Sequence, residues 1–199
     1  DFPMTNIAIF ASGSGSNAEN IANYFASHHD INIAVIISNK PDAYVHERAK
    51  QLGVPSFTFK KSDFDNGTVI LNKMAEYQID FIVLAGFLLK VPHSIMEAFP
   101  NSIINIHPAL LPKYGGKGMY GDNVHNAVKN AGETETGITI HYINENYDEG
   151  DIIYQAMCEV ADLDTPQDIA NKVHTLEQMH FPKIIEKILR KNSKNISKY

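Results

Sequence analysis

The sequence predicts an α/β protein, a single-domain, open, mostly parallel twisted sheet with a late antiparallel strand pair and a C-terminal helix. Short runs rich in Ile and Val alternate with amphipathic helical patterns, the βαβ signature of a parallel sheet covered on both faces. Later in the chain, two runs alternate more strongly and are joined by few residues, which predicts antiparallel neighbours. With 199 residues and 44% hydrophobic content, the chain can bury one good-sized core.

The strands come first. "NIAIFAS" (6–12), "INIAVIIS" (31–38), "FIVLAG" (81–86) and "SIINIH" (102–107) are apolar nearly throughout, as strands buried on both faces should be. "PSFTF" (55–59) adds a short strand, and the polar "KKSDFDNG" after it reads as a loop. Between the strands, "NAENIANYFASHH" (17–29), "DAYVHERAKQLG" (42–53) and "TVILNKMAEYQ" (68–78) carry apolar residues at helical spacing. "TGITIHYIN" (136–144) and "DIIYQAMCEVA" (151–161) are the antiparallel pair. The last helix starts with Thr165 as its cap and Pro166 at its first position, and bends at Pro182. Residues 1–3 precede Met4 and are set aside as a remnant foreign to the fold, and 192–199 form a polar tail.

Charge and composition narrow the function. A net charge of −6 and a pI of about 5.8 disfavour a surface built for nucleic acid backbones. No run approaches the ~18 apolar residues of a spanning helix, and no basic leader precedes an apolar stretch. The one cysteine, Cys158, has no partner for an intrachain disulfide, and its strand reads as buried. A reducing, cytoplasmic setting is expected.

"ASGSGSN" lies directly between the first strand and the first helix. Gly13 and Gly15 permit close backbone approach, and Ser16 and Asn17 can donate hydrogen bonds at a helix N-terminus, where free N–H groups and the dipole favour an anion. A tight turn with Asn17 as a helix cap explains the same residues. A dinucleotide site fits poorly. The second strand ends in Ser38, Asn39 and Lys40 with Asp42 too far along to hold a ribose, and the glycine spacing fails at Ala18. A single phosphate is the better match.

In "IINIHPALLPKY" (103–114), Asn105 and His107 are two apart and project from one face of a strand, while Ile104 and Ile106 pack inward. Pro108 ends the ladder, which sets His107 at the C-terminal edge of the sheet, where open α/β folds bind ligands. The alternative is a buried pair that satisfies loop backbone groups. "NENYDEGD" (144–151) supplies Asp148 and Gly150, which alone are no more than a turn. His28 and His29 are adjacent and His174 and His180 six apart, so neither pair has metal-ligand spacing, and no G-x-S-x-G elbow occurs.

Taken together, "GSGSN", "SNKPDAYVHERA", "VLAGFLLKVP", "INIHPALLPKY" and "GITIHYINENYDEGDIIYQ" resemble, in order and spacing and over essentially the whole chain, the phosphoribosylglycinamide formyltransferase family. The resemblance implies a Rossmann-like formyltransferase fold and transfer of a formyl group from 10-formyltetrahydrofolate to the amine of glycinamide ribonucleotide in purine synthesis. It implies that Gly15, Ser16, Asn17, Ala18 and Glu19 hold the phosphoribosyl end and that Glu177 meets the glycinamide part. Asn105, His107 and Asp148 match the catalytic trio. Leu88, Leu89, Lys90 and Val91, with Asn105, Asn144 and Asp148, match the folate pocket. The implied partners are these small molecules, without metal, nucleic acid or membrane, in a monomer or weak homodimer. The chain departs from the family pattern at Leu89 and Gly67, where arginines are usual, and in "GGKGMYGDNVHNAV", which replaces a histidine-bearing loop.

Rival readings are weaker. A formyltetrahydrofolate hydrolase would place a second histidine where this chain has Pro108 and would carry a preceding regulatory domain. A methionyl-tRNA formyltransferase would add a tRNA-binding domain and a more basic surface. A non-catalytic nucleotide-phosphate binding module explains "GSGSN" and leaves Asn105, His107 and Asp148 without a purpose.

Overall fold

The computed structural model describes residues 3–143 and 150–196. In chain order these form β1 (Thr5–Phe10), α1 (Ser16–Phe25), β2 (Ile31–Ser38), α2 (Val45–Leu52), β3 (Ser56–Thr58), α3 (Asp63–Asn66), α4 (Thr68–Glu76), β4 (Phe81–Leu84), α5 (His93–Ala98), β5 (Ile103–His107), α6 (Asp122–Asn130), β6 (Glu135–Tyr142), β7 (Ile152–Glu159) and α7 (Pro166–Ile196). The sheet order is β3-β2-β1-β4-β5-β6-β7. β1 pairs in parallel with β2 and β4, β2 with β3, and β4 with β5. β6 and β7 run antiparallel: Gly137 lies against Ala156, and the Tyr142 N–H donates to the Asp151 carbonyl, so partners fall in number as the strand rises. The mostly parallel sheet, its late antiparallel pair and the C-terminal helix are as the sequence predicts.

The chain forms two compact units, Asp1–Ile106 with His141–Asp151, and His107–Ile140 with Ile152–Tyr199. In the first unit, the apolar strands drive the core. Ile7 to Phe10, Val35 to Ile37 and Phe81 to Val83 are essentially inaccessible. Ala8, Phe10, Val35, Ile37 and Ile82 meet Phe64, Ile70, Met74, Phe87 and Ile95 in one cluster, where the Phe10 ring meets Phe87 edge-on at 5.4 Å. The register pairs Phe10 with Leu84 and Leu84 with Asn105. The turn after β1, the segment after β4 and Asn105 therefore share one end of this sheet, beside the point where strand order reverses between β1 and β4.

In the second unit, α7 opens on a reciprocal cap. The Asp168 N–H donates to Thr165 Oγ1 at 3.1 Å and the Thr165 N–H to Asp168 Oδ2 at 2.9 Å, as expected for Thr165 before Pro166. α7 packs against α6 and β7 and continues past Pro182, which lies inside it.

Several elements differ from the sequence reading. The loop at 60–67 contains the short α3, and α5 and α6 form where no helix was predicted. β7 is the sheet edge and is half-exposed, with Met157 62% accessible, so Cys158 is only half-buried. An edge strand has a neighbour on one side only, and alternation cannot tell which strand ends the sheet. Among the described residues, no helix is long and apolar enough to cross a membrane.

Candidate active site

The first unit supplies the glycine turn. Gly15 has φ 75° and caps α1. A β-carbon built there would lie 2.5 Å from Val45 Cγ2 and 2.8 Å from Val45 Cα, so glycine is required by both conformation and space. Asn17 is not the cap: it lies within the first turn of α1 and is buried, because the left-handed Gly15 already turns the chain into the helix. The start of α2 straps the turn down. The Val45 N–H donates to the Gly13 carbonyl at 3.1 Å, and Arg48 Nε donates to the Ser14 carbonyl at 2.7 Å. Arg48 Nη1 also pairs with Glu19 at 2.8 Å, and its guanidinium lies 5.0 Å from the Tyr44 ring centroid. That pairing offsets the Glu19 charge, which would otherwise repel an anion at the α1 N-terminus.

Ser12 ties this turn to the segment after β4. Its hydroxyl donates to Asn39 Oδ1 at 2.6 Å and accepts the Leu88 N–H at 2.9 Å. Leu88 and Lys90 are exposed, Leu89 packs partly on the core cluster, and Val91 is buried. Gly67, where the family pattern has arginine, has φ 77°, and a β-carbon there would meet Ser94 Oγ at 2.7 Å and Pro92 Cγ at 3.0 Å. The tight join between α3 and α4 leaves no room for a side chain.

Asn105 Nδ2 lies 3.1 Å from His141 Nε2, while His141 Nδ1 lies 2.8 Å from the Tyr142 carbonyl. A carbonyl only accepts, so Nδ1 of His141 carries its proton and Nε2 accepts from the Asn105 amide. The fully buried His141 thereby fixes which way the Asn105 amide faces.

In the second unit, His107 is 3% accessible, more buried than an open strand end implies. Its Nε2 donates to the Tyr114 carbonyl at 2.7 Å, since a carbonyl only accepts. The buried His125 on α6 is held below the ordinary histidine pKa by burial, opposed by Asp122 and reinforced by His107.

Comparison with known proteins decides the family, because the formyl transferase family matches residues 5–185. The chain is a formyl transferase. It is 34% identical over 196 residues to phosphoribosylglycinamide formyltransferase of Bacillus subtilis, covering 96% of this chain and 98% of that one. It is 37% identical over 195 residues to the chloroplastic enzyme of that name from Arabidopsis thaliana, covering 94% of this chain and 66% of that one. The crystal structure of the enzyme of that name from Anaplasma phagocytophilum superimposes with a TM-score of 0.86 at 31% identity, over 94% of this chain and 87% of that one.

Among the residues the sequence singles out in this formyl transferase, Gly15 to Glu19, Leu88 to Val91 and Asn105 fall in the first unit, and His107 and the half-buried Glu177 of α7 in the second. Asn144 and Asp148 lie outside the described residues. Sequence reasoning missed Arg48, His141 and Tyr114. For His141 the sequence carries no signal, since its place beside Asn105 goes with the Ile143–Ile103 hydrogen bond, a matter of strand register. For Tyr114 there was none, since the group that matters is a backbone carbonyl. Among the described residues, no cluster of His, Cys, Asp and Glu could hold a metal ion.

Proposed function

We propose that this formyl transferase moves the formyl group of 10-formyltetrahydrofolate to the primary amine of glycinamide ribonucleotide, giving formylglycinamide ribonucleotide and tetrahydrofolate. The observation that carries the reading is the pair of side chains on β5, each held by a hydrogen bond: Asn105 to His141, and His107 to the Tyr114 carbonyl. The amine attacks the formyl carbon, the carbonyl electrons move to oxygen, and the tetrahedral intermediate collapses by breaking the bond to folate N10. The proton lost by the amine ends on that nitrogen.

The developing oxyanion needs donors. The Asn105 amide and His107, through Nδ1–H in its imidazolium form, serve as these, each contributing about 3–4 kcal/mol to lowering the barrier. The strapped glycine turn suits the phosphate of the ribonucleotide, with Gly15 to Glu19 as its cradle and Glu177 toward the glycinamide end. Leu88 to Val91 line the folate side. Asp148 either carries the proton between the two nitrogens through water or favours the imidazolium by proximity, and Asn144 is taken to serve the folate. We take the setting as a reducing cytoplasm, in which a single cysteine, Cys158, stays a thiol, and the chain as a monomer or weak homodimer.

The test is transfer with purified chain, glycinamide ribonucleotide and 10-formyltetrahydrofolate, following formylated product and free formate separately. Stoichiometric formylated ribonucleotide is expected. Free formate in its place would mean a hydrolase, and ribonucleotide binding without turnover would mean a binding module.

A further inference from the structure

The segment from Pro108 to Gly121 leaves β5 and reaches α6, and its first half is fixed by side chains of β6 and β7. Thr139 Oγ1 accepts the Leu111 N–H at 3.0 Å and donates to the Ala109 carbonyl at 2.8 Å. Gln155 Nε2 donates to the Leu111 carbonyl at 3.0 Å. These anchors stop short of Tyr114, whose backbone is left-handed at φ 58°, a conformation a side chain bearing a β-carbon does not adopt without support.

The support is the side chain itself. The Tyr114 phenol donates to Glu133 Oε1 at 2.7 Å, and Lys113 Nζ reaches the same oxygen at 3.3 Å. Glu133 is set just past α6, where its N–H donates to the Val128 carbonyl at 3.3 Å. The grip is durable across ordinary pH. Tyr114 O–H and Lys113 hold the Glu133 carboxyl below its usual range, while burial and Glu133 push the phenol up, so acceptor stays charged and donor stays protonated. The outcome of the strained backbone is that the Tyr114 carbonyl points at His107 Nε2.

We propose that the Tyr114 phenol and Glu133 form a latch that positions His107, by holding the Tyr114 carbonyl where it fixes the imidazole's orientation and tautomer. Neither group touches the reacting atoms. Glu133 acts through Tyr114, and Tyr114 through its own carbonyl. The catalytic consequence rests on the function proposed above, but the effect on His107 does not.

The experiment is therefore read twice. In protein labelled with ¹⁵N-histidine and free of substrates, His107 is expected as the Nε2–H tautomer. Tyr114→Phe and Glu133→Ala should each mix in the Nδ1–H tautomer. Turnover should fall about 10-fold with both KM values nearly unchanged, a fraction of the ~10²-fold loss that a 1 Å misplacement can cause. Glu133→Gln keeps an acceptor for the phenol and should restore most of the turnover. The double variant should be no worse than either single one, since both break one chain of contacts. A pure Nε2–H signal in both Tyr114→Phe and Glu133→Ala would overturn the latch, as would a turnover loss that Glu133→Gln does not restore. Should Tyr114→Phe fail to fold, Glu133→Ala, changed at a half-buried side chain, gives the same reading. A tautomer shift in a protein whose wild type transfers no formyl group would overturn the proposed function and leave the latch standing.

Discussion

Replacing Gly15 by alanine puts a methyl group where the start of α2 already lies. The new carbon would stand 2.5 Å from Val45 Cγ2, 2.7 Å from Val45 Cβ and 2.8 Å from Val45 Cα. The last of these is backbone, so a rotamer change at Val45 does not relieve the clash. Alanine in the left-handed region costs about 1–2 kcal/mol, and forcing extra volume into a packed site about 1–3 kcal/mol. Together about 2–5 kcal/mol is expected, within the stability of a typical domain, so the variant should still fold. The way it relaxes carries the functional test. If α2 backs away, the Val45–Gly13 and Arg48–Ser14 hydrogen bonds stretch and the phosphate cradle opens. Urea unfolding at matched slope gives the stability change, and separate titrations give the affinities for glycinamide ribonucleotide and for the folate. Ribonucleotide affinity should fall and folate affinity hold. A destabilisation under about 1 kcal/mol would show that the contact with Val45 does not shape the turn, and equal loss for both ligands would refute the division of the pocket.

Three other outcomes are expected. His107→Ala should lower turnover by about 10²-fold or more and, because His107 is buried and bonded to Tyr114, also cost about 1–3 kcal/mol in urea; near-normal turnover with lost stability would make the residue structural. Arg48→Leu should raise the ribonucleotide KM about 10-fold, since a hydrogen bond to a charged group contributes about 1.5–3 kcal/mol, with Glu19→Gln in the same background recovering part of it; no recovery would mean the Glu19 charge is not what Arg48 offsets. Because the folded protein holds His125 below its ordinary pKa, the unfolded chain binds the extra proton more readily, so this contribution is complete above the ordinary histidine value and is lost as pH falls below it. His125→Gln should flatten the decline in stability between about pH 7 and 5, and an unchanged slope in urea unfolding across that window would exclude His125 as its source.

What the sequence determines by itself is local. The buried strands β1, β2, β4 and β5, the antiparallel pair and the Thr165 cap follow from side chains within a few residues of one another, and period, β-branching and capping act over that range. The pairing of Asn105 with His107 on β5 is legible for the same reason, since alternation along a strand is a property of the chain. The tertiary structure decided the rest. α3 and α6 form in segments whose polar and glycine-rich composition reads as loop, and Asn17 yields the cap to a left-handed Gly15. β7 reads as buried from its composition and is half-exposed because the sheet ends there. Arg48 pairs with Glu19, 29 residues away, and His141 orients Asn105, 36 residues away, only once strand register and helix docking are set. The partner of His107 is a backbone carbonyl, which every residue possesses; its direction goes with the left-handed φ of Tyr114, which the identity of a tyrosine does not announce.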